Sequence, residues 1–117
     1  MHRVVLITAP DDQVATGLAR SLVEARLAAC VNIVPAIRSI YRWQGEVCDD
    51  AETLLIVKTT ADRLDALTTH VQSHHPYDVP EVIALPIDHG SSSYLSWLSE
   101  QVADPPPESL DHRPQPG

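Results

Sequence analysis

The segment HHPYDVPE places two imidazoles and a carboxylate within eight residues of one another. Imidazole is a ligand for both copper and zinc, and Pro76 and Pro80 restrict the backbone between the three side chains. This pattern predicts a divalent-metal site with His74 and Glu81 as ligands and His75 as an additional candidate. The alternative is structural: His74 ends a helix, where positive charge is favourable, and Glu81 pairs with a neighbouring side chain.

A second group of residues combines aromatic and charged side chains: Tyr41, Trp43, Glu52, Lys58 and Tyr77. Strand alternation puts Glu52 and Lys58, the only lysine of the chain, on one face. A compact cation that ends an apolar strand can meet a carboxylate or phosphate of a ligand, so the group predicts a small-ligand cleft. The alternatives are an ion pair at a subunit junction and aromatic packing between subunits.

Nucleophilic and phosphate-transfer chemistry is the least favoured by the residue types. Cys30 lies among Ala28, Ala29 and Val31, a setting typical of a structural thiol. An enzyme such as an acyl-phosphate hydrolase needs a cradle of backbone amides and arginine for phosphate. The chain has four widely spaced glycines and offers no glycine-rich loop, so we expect no enzymatic activity.

Composition excludes several classes of partner. The chain has 117 residues, 44% of them hydrophobic, and a formal net charge of −8. Such a charge opposes binding to duplex nucleic acid and to anionic lipid, which both require clustered cations. The apolar runs are too short to span a bilayer, and the first residues lack a signal-peptide pattern. We therefore expect a cytoplasmic protein with both cysteines as thiols.

Apolar periodicity predicts an α+β fold of order βαββαβ with an added C-terminal helix. The expected strands are 3–8, 30–43, 52–59 and 81–87, and the expected helices are about 12–26, 62–75 and 91–102. This is the ferredoxin-like arrangement, with sheet order 4-1-3-2 and the second and fourth strands at the edges. Pro35 and Pro86 fall in these two strands, as proline requires.

The chain divides into one domain, 1–103, and a proline-rich tail, 104–117, which its composition predicts to be disordered. Within the domain the two central strands, VVLI and LLIV, do not alternate apolar with polar residues. A sheet with one wet face should alternate. Both faces are therefore expected to be buried, and a second copy of the chain is the simplest cover for the face that the helices leave open.

Several longer stretches carry a family resemblance. In this order and spacing they resemble the CutA divalent-cation tolerance family: ARSLVEARLAACVNI, SIYRWQGEV, ETLLIVKT, HHPYDVPEVIALPI and SYLSWL. The resemblance extends from about Val4 to Val102. It implies a homotrimer of ferredoxin-like subunits, similar in architecture to PII signalling proteins. It also implies a role in tolerance of divalent metals, copper especially, without a known enzymatic activity.

The resemblance also implies site residues. The copper site proposed for the family maps onto His74 and Glu81, whereas its cysteine position is Ile7 here, which cannot bind metal. The expected cofactor is Cu(II) or another divalent ion. In the family, a cleft between subunits is lined by the positions that match this aromatic and charged group. The alternative function is that of a PII-like regulator whose cleft between subunits binds a small anionic metabolite.

Overall fold

Four antiparallel strands form one sheet in the computed structural model, which describes residues 1–104. In chain order the elements are β1 (His2–Ala9), α1 (Asp12–Glu24), β2 (Cys30–Trp43), β3 (Glu46–Thr60), α2 (Leu64–His74), β4 (Val82–Pro86) and α3 (Ser92–Val102). A single 3-10 turn, Ala61–Arg63, leads into α2. The predicted tail lies outside the described residues except for Asp104.

The strand order β2-β3-β1-β4 confirms the ferredoxin-like prediction, and β2 and β4 are the edges. Pro86 ends β4, and Pro35 lies where the pairing of β2 with β3 shifts register, between Val34 and Ile37. Proline has no backbone N–H to donate to a ladder, so an edge and a register shift are the positions that tolerate it. No described helix is both long and apolar enough to cross a membrane.

Helix α1 begins where the Asp11 side chain accepts a hydrogen bond from the Val14 N–H, at 2.8 Å. Such a cap satisfies one of the N–H groups that a first helical turn leaves free. The helix ends at Glu24, two residues before the predicted end. Arg26 adopts a left-handed backbone with φ 58°, which is incompatible with a continuing helix.

The main core lies between helices α1 and α2 and one face of the sheet. Helices α1 and α2 bury an apolar stripe against alternate residues of the central strands, and the fully buried members of this core include Val5, Ile7, Leu22, Leu55, Val57, Leu67 and Val71. Helix α2 ends at His74, and His75 is extended. Since Pro76 follows, its ring excludes a helical backbone at His75.

The opposite face of the sheet is only partly covered by this chain. Val4 and Leu6 on β1 are half-buried, and on the neighbouring edge strand Ile83 remains 52% exposed. Helix α3 covers one end of this face, where Leu98 and Val102 are buried. The sequence led us to expect that both faces of the sheet are buried. Within one chain, only the face that packs against α1 and α2 is completely buried.

The β2–β3 hairpin is longer than the sequence predicted. Strand β3 begins at Glu46, six residues before the expected start, and pairs with β2 down to the turn. Gln44 and Gly45 both have positive φ, 50° and 82°, which is the conformation of a two-residue hairpin turn that matches strand twist. Acidic residues are uncommon in strands. Here Asp49 is held by Arg38 across the hairpin, Nε to Oδ1 at 2.8 Å.

Candidate functional site

A cavity of about 640 Å³ opens at one end of the sheet, between the β2–β3 hairpin and the loop 75–81 that follows α2. Strand β1 contributes its floor through Thr8. The other lining residues are Ser39, Ile40, Tyr41, Trp43, Glu52, Pro76, Tyr77, Asp78, Val79 and Glu81. Its volume falls in the range of small-molecule sites in proteins.

The cavity brings together four of the five residues predicted to form a ligand cleft: Tyr41, Trp43, Glu52 and Tyr77. Glu52 is 8% exposed, and its Oε2 accepts a hydrogen bond from the Tyr77 hydroxyl at 2.7 Å. The Tyr41 hydroxyl donates to Asp50 on the neighbouring strand. Two phenols and a buried carboxylate therefore meet at one wall of the cavity.

The fifth predicted cleft residue, Lys58, lies elsewhere in the chain. It is on the same face of β3 as Glu52, as alternation requires, but six residues further along the strand. At about 3.3 Å per residue, this separation is on the order of 20 Å. The Lys58 Nζ lies 3.7 Å from the Cys30 Sγ instead. Within one chain, Lys58 and Glu52 are therefore too far apart to form an ion pair.

His75 positions the loop that closes the cavity. It is buried, and its Nε2 lies 2.7 Å from the Thr8 carbonyl oxygen, to which it donates. Its Nδ1 accepts the backbone N–H of Tyr77 at 3.1 Å. Both ring nitrogens are thus engaged within the chain. His75 could bind a metal only by giving up one of these bonds, so the geometry favours a structural role over the predicted additional ligand.

His74 is the exposed last residue of α2. Its Nδ1 donates to the His70 carbonyl oxygen at 2.7 Å, and the two imidazoles stack with their centroids 4.1 Å apart. The Nε2 of His74 has no hydrogen-bond partner in residues 1–104. His70 is held from its other side by Ser21 Oγ at 2.9 Å. Burial, and then the charge of His74, lower the pKa of His70.

Glu81 lies at the mouth of the cavity and is exposed, whereas His74 does not line the cavity. In residues 1–104, no three side chains of the His, Cys, Asp or Glu types come close enough to hold one metal ion. Ile7, at the family's cysteine position, is fully buried in the main core. Each chain thus offers two exposed donors, His74 and Glu81.

The charges that line the cavity are all negative: Glu52, Asp78 and Glu81. The hydrogen bond to Asp50 raises the pKa of Tyr41 to about 12. Burial, and then Glu52, raise the pKa of Tyr77 well above the ordinary value for a phenol. Both hydroxyls therefore stay protonated at neutral pH and act as donors, and the cavity as a whole attracts cations.

The sequence analysis did not predict that Asp78 lines the cavity, nor that the Tyr41 hydroxyl donates to Asp50. A signal for the second was present: Tyr41 stands opposite Cys48 in the hairpin, so Asp50 is its diagonal neighbour. Strand β3 was expected to start at Glu52, which left Asp50 outside the sheet. The contribution of Asp78 depends on the path of the loop 75–81, and periodicity carries no information about loops.

Known proteins resemble this chain over nearly its whole described length. The curated Divalent-cation tolerance protein CutA of Thermus thermophilus is 58% identical over 102 residues, 87% of this chain and 99% of that protein. Protein CutA 1, chloroplastic, of Oryza sativa is 54% identical over 101 residues, 86% of this chain and 57% of that protein. The solved structure of the periplasmic divalent cation tolerance protein CutA of Archaeoglobus fulgidus has a TM-score of 0.86 at 38% identity, covering 88% of this chain and 100% of that one.

These relatives correct the expectation of a cytoplasmic location. The rice relative and one from Arabidopsis thaliana are named chloroplastic, and the Archaeoglobus protein is named periplasmic. Proteins that share this domain therefore occur in different compartments. The inference from composition and from the first residues was therefore wrong, since close relatives are named for other compartments.

The family itself is identified by a match along the domain. The model of the CutA1 divalent ion tolerance protein family matches residues 3–101, from the second residue of β1 to the penultimate residue of α3. The close sequence relatives and the shared fold agree with this match. The chain belongs to the CutA divalent-cation tolerance family.

Proposed function

We propose that this protein is a homotrimer with a PII-like architecture that binds divalent metal ions, Cu(II) foremost, and acts in metal tolerance without catalysing a reaction. The family match over residues 3–101 is the observation that carries this proposal. The partly open sheet face supports the assembly. Its exposed apolar side chains on an edge strand, Ile83 and Leu85, are typical of a surface that another copy covers.

We assign the metal to His74 and Glu81. The His74 Nε2 is available because its Nδ1 donates to the His70 carbonyl oxygen, an arrangement that also orients the ring. Glu81 is an exposed carboxylate with no cation partner in residues 1–104. One imidazole and one carboxylate leave coordination positions for water or for another copy. We therefore expect weak, exchangeable binding rather than a structural metal centre.

The two alternative functions receive less support from the site. An anionic metabolite would meet three carboxylates in the cavity, since Glu52, Asp78 and Glu81 are its charged lining residues. A phosphate-cleaving enzyme would need an available arginine. Arg38, which lies near the cavity on β2, already holds Asp49 through two hydrogen bonds.

Calorimetric titration with Cu(II) tests the assignment. The parent protein should bind at pH 7.5 and more weakly at pH 5.5, because protons compete for imidazole nitrogen below about pH 6.5. His74→Ala and Glu81→Ala should each weaken binding about tenfold or more, as loss of one ligand of a weak site implies. His89→Ala, which removes another exposed imidazole, is the matched control and should bind like the parent.

Moderate salt in all titrations suppresses nonspecific attraction of the metal to the acidic surface. Identical isotherms for the parent, His74→Ala and Glu81→Ala would show that these residues are not the ligands. Equal binding at both pH values would show that no imidazole takes part.

A further inference from the structure

A second imidazole lies next to the proposed metal ligand His74. His70 and His74 are four residues apart on α2, a spacing that places both side chains on one face of the helix. Their rings stack with centroids 4.1 Å apart and with planes inclined by 18°. Two nitrogens that bind one ion, each at about 2 Å, are at most about 4 Å apart, so two rings this close can share one metal ion.

Hydrogen bonds determine which nitrogen of His70 carries the proton. The Ser21 hydroxyl on α1 donates to the Leu18 carbonyl oxygen at 2.8 Å, so its one hydrogen is already used. Ser21 Oγ, which lies 2.9 Å from His70 Nε2, therefore accepts, and Nε2 is the protonated nitrogen. The Nδ1 of His70 then carries a lone pair, and within residues 1–104 this nitrogen has no hydrogen-bond partner.

His74 shows the same arrangement with the two nitrogens exchanged. Its Nδ1 donates to the His70 carbonyl oxygen at 2.7 Å, which leaves the lone pair on Nε2. A histidine that binds a metal through one nitrogen usually donates its other N–H to a nearby oxygen, because this bond fixes the tautomer and orients the ring. Both imidazoles therefore already make the outer hydrogen bond that is typical of metal-binding histidines.

The histidine pair lies on the side of the chain that faces away from the proposed subunit contact. Helices α1 and α2 pack on the covered face of the sheet, whereas a homotrimer would bury the other face with Ile83 and Leu85. His74 is exposed, and His70 is half-buried. An assembly that forms through the open face of the sheet therefore leaves the histidine pair accessible.

From this geometry we propose that His70 is a second imidazole ligand of the divalent metal, binding through Nδ1 while His74 binds through Nε2. The inference rests on the proposed function of His74 as a ligand, and it does not depend on Glu81. Because the two rings are nearly parallel, one of them has to turn about its Cβ–Cγ bond before both lone pairs point to one ion. This torsion is soft in histidine, and His74 is the exposed last residue of its helix.

Pulsed electron paramagnetic resonance of the full-length protein with Cu(II) tests the inference, because the remote imidazole nitrogens modulate the copper signal and can be counted. Copper is added at less than one equivalent per chain in moderate salt at pH 7.5, so that the tightest site fills first. We expect two imidazoles per copper in the parent and one in His70→Gln. Glutamine keeps an N–H donor for Ser21 Oγ while removing the imidazole.

Calorimetric titration with Cu(II) measures what the second imidazole adds to the affinity. His70→Gln should weaken Cu(II) binding about tenfold, as the loss of one nitrogen ligand implies. His89→Ala, which removes an exposed imidazole elsewhere in the chain, is the matched control. It should keep both the affinity and the two imidazoles of the parent.

Three outcomes would overturn the inference: one imidazole per copper in the parent, two imidazoles in His70→Gln, or an unchanged Cu(II) affinity in His70→Gln. If His74→Ala still weakens copper binding in that case, only the role of His70 is refuted and the proposed function stands. If His74→Ala binds copper like the parent, the proposed function itself fails. If His70→Gln does not fold, the imidazole count in the parent still decides, because it requires no variant.

Discussion

A chain of hydrogen bonds links the floor of the cavity to its wall. It starts at the Thr8 carbonyl oxygen, passes through both ring nitrogens of His75 to the Tyr77 backbone, and ends where the Tyr77 hydroxyl donates to Glu52. A neutral imidazole with one donor and one acceptor nitrogen satisfies these partners. His75 thereby fixes the loop 75–81 over the cavity, although the sequence analysis had predicted it as a candidate metal ligand.

Alkaline titration of tyrosine tests the environment of these phenols. The pKa of Tyr41 is raised to about 12 by Asp50, and burial raises the pKa of Tyr77 and of Tyr94. These are the three tyrosines of the chain. The folded protein should therefore form tyrosinate, followed by absorbance at 295 nm, at higher pH than the protein unfolded in guanidinium.

The raised tyrosine pKa values also make the free energy of unfolding depend on pH. A phenol with a raised pKa in the folded state contributes stability below the unfolded value of about 10, and this stability is lost as pH rises above 10. Complete ionisation of the folded protein near pH 10 would contradict the hydrogen bonds described for Tyr41 and Tyr77.

At the level of single residues, the sequence predicted types and faces but not partners. Tyr41, Trp43 and Glu52 line one cavity because alternation along β2 and β3 determines their face, and the loop 75–81 adds Tyr77. Lys58 shares that face, yet it lies too far along β3 to reach Glu52. The hydrogen-bond partners of the two His75 nitrogens depend on the geometry of the loop, which apolar periodicity in the sequence does not predict.

At the level of elements, the edge strand β2 contains a conformational irregularity. Ala36 lies within the register shift between Val34 and Ile37 and has a left-handed φ of 60°. The shift accommodates Pro35 and allows the far end of β2 to continue along β3 to the hairpin turn. Tyr41 and Trp43, which line the cavity, are located by this continuation.

Replacement of Ala36 by valine tests this irregularity. A β-branched side chain is strongly disfavoured in the left-handed region, so Ala36→Val should lower the free energy of unfolding by about 1–2 kcal/mol. Ala51→Val is the matched control: Ala51 is exposed in β3, has no positive φ, and valine favours strands. Denaturant unfolding of both variants measures the difference. A loss at Ala51→Val equal to that at Ala36→Val would refute the explanation.

Truncation of the chain separates the end of the domain from the predicted tail. Asp104 receives a hydrogen bond from Arg63, Nη2 to Oδ1 at 2.9 Å. A chain ending at residue 104 should unfold like the full-length protein, since 105–117 contains almost no apolar residue beyond Leu110. A chain ending at residue 103 should lose up to about 1 kcal/mol, as for an exposed ion pair. Thermal unfolding measures both; a large loss on removal of 105–117 alone would show that the segment packs on the domain.

Elements with a strong apolar period were predictable from sequence, and their ends were less so. The stripe of Ala15, Leu18, Ala19 and Leu22 is buried as expected. The start of β3 was missed because Asp49 and Asp50 disfavour strands in isolation. Their cross-strand partners, Arg38 and Tyr41, offset this preference, and such pairs exist only after the hairpin has formed.

At the level of the whole molecule, one sheet face is only partly covered within the chain. The α1/α2 face is fully covered within the chain, whereas the other face and the edge strand leave Ile83 52% and Leu85 49% exposed. The non-alternating central strands predicted an apolar second face, but a sequence does not specify what covers it. A homotrimer would bury this surface and would also bring the metal donors of different chains into one assembly.

Native mass spectrometry of the full-length protein at micromolar concentration tests this account most directly, because it reports assembly and bound metal together. Three chains of 12.8 kDa give a species of about 38 kDa. We predict this species, with up to one Cu(II) per chain after copper addition and with the copper lost in the His74→Ala, Glu81→Ala double variant. A species of 12.8 kDa, or copper retained equally by the double variant, would contradict the account.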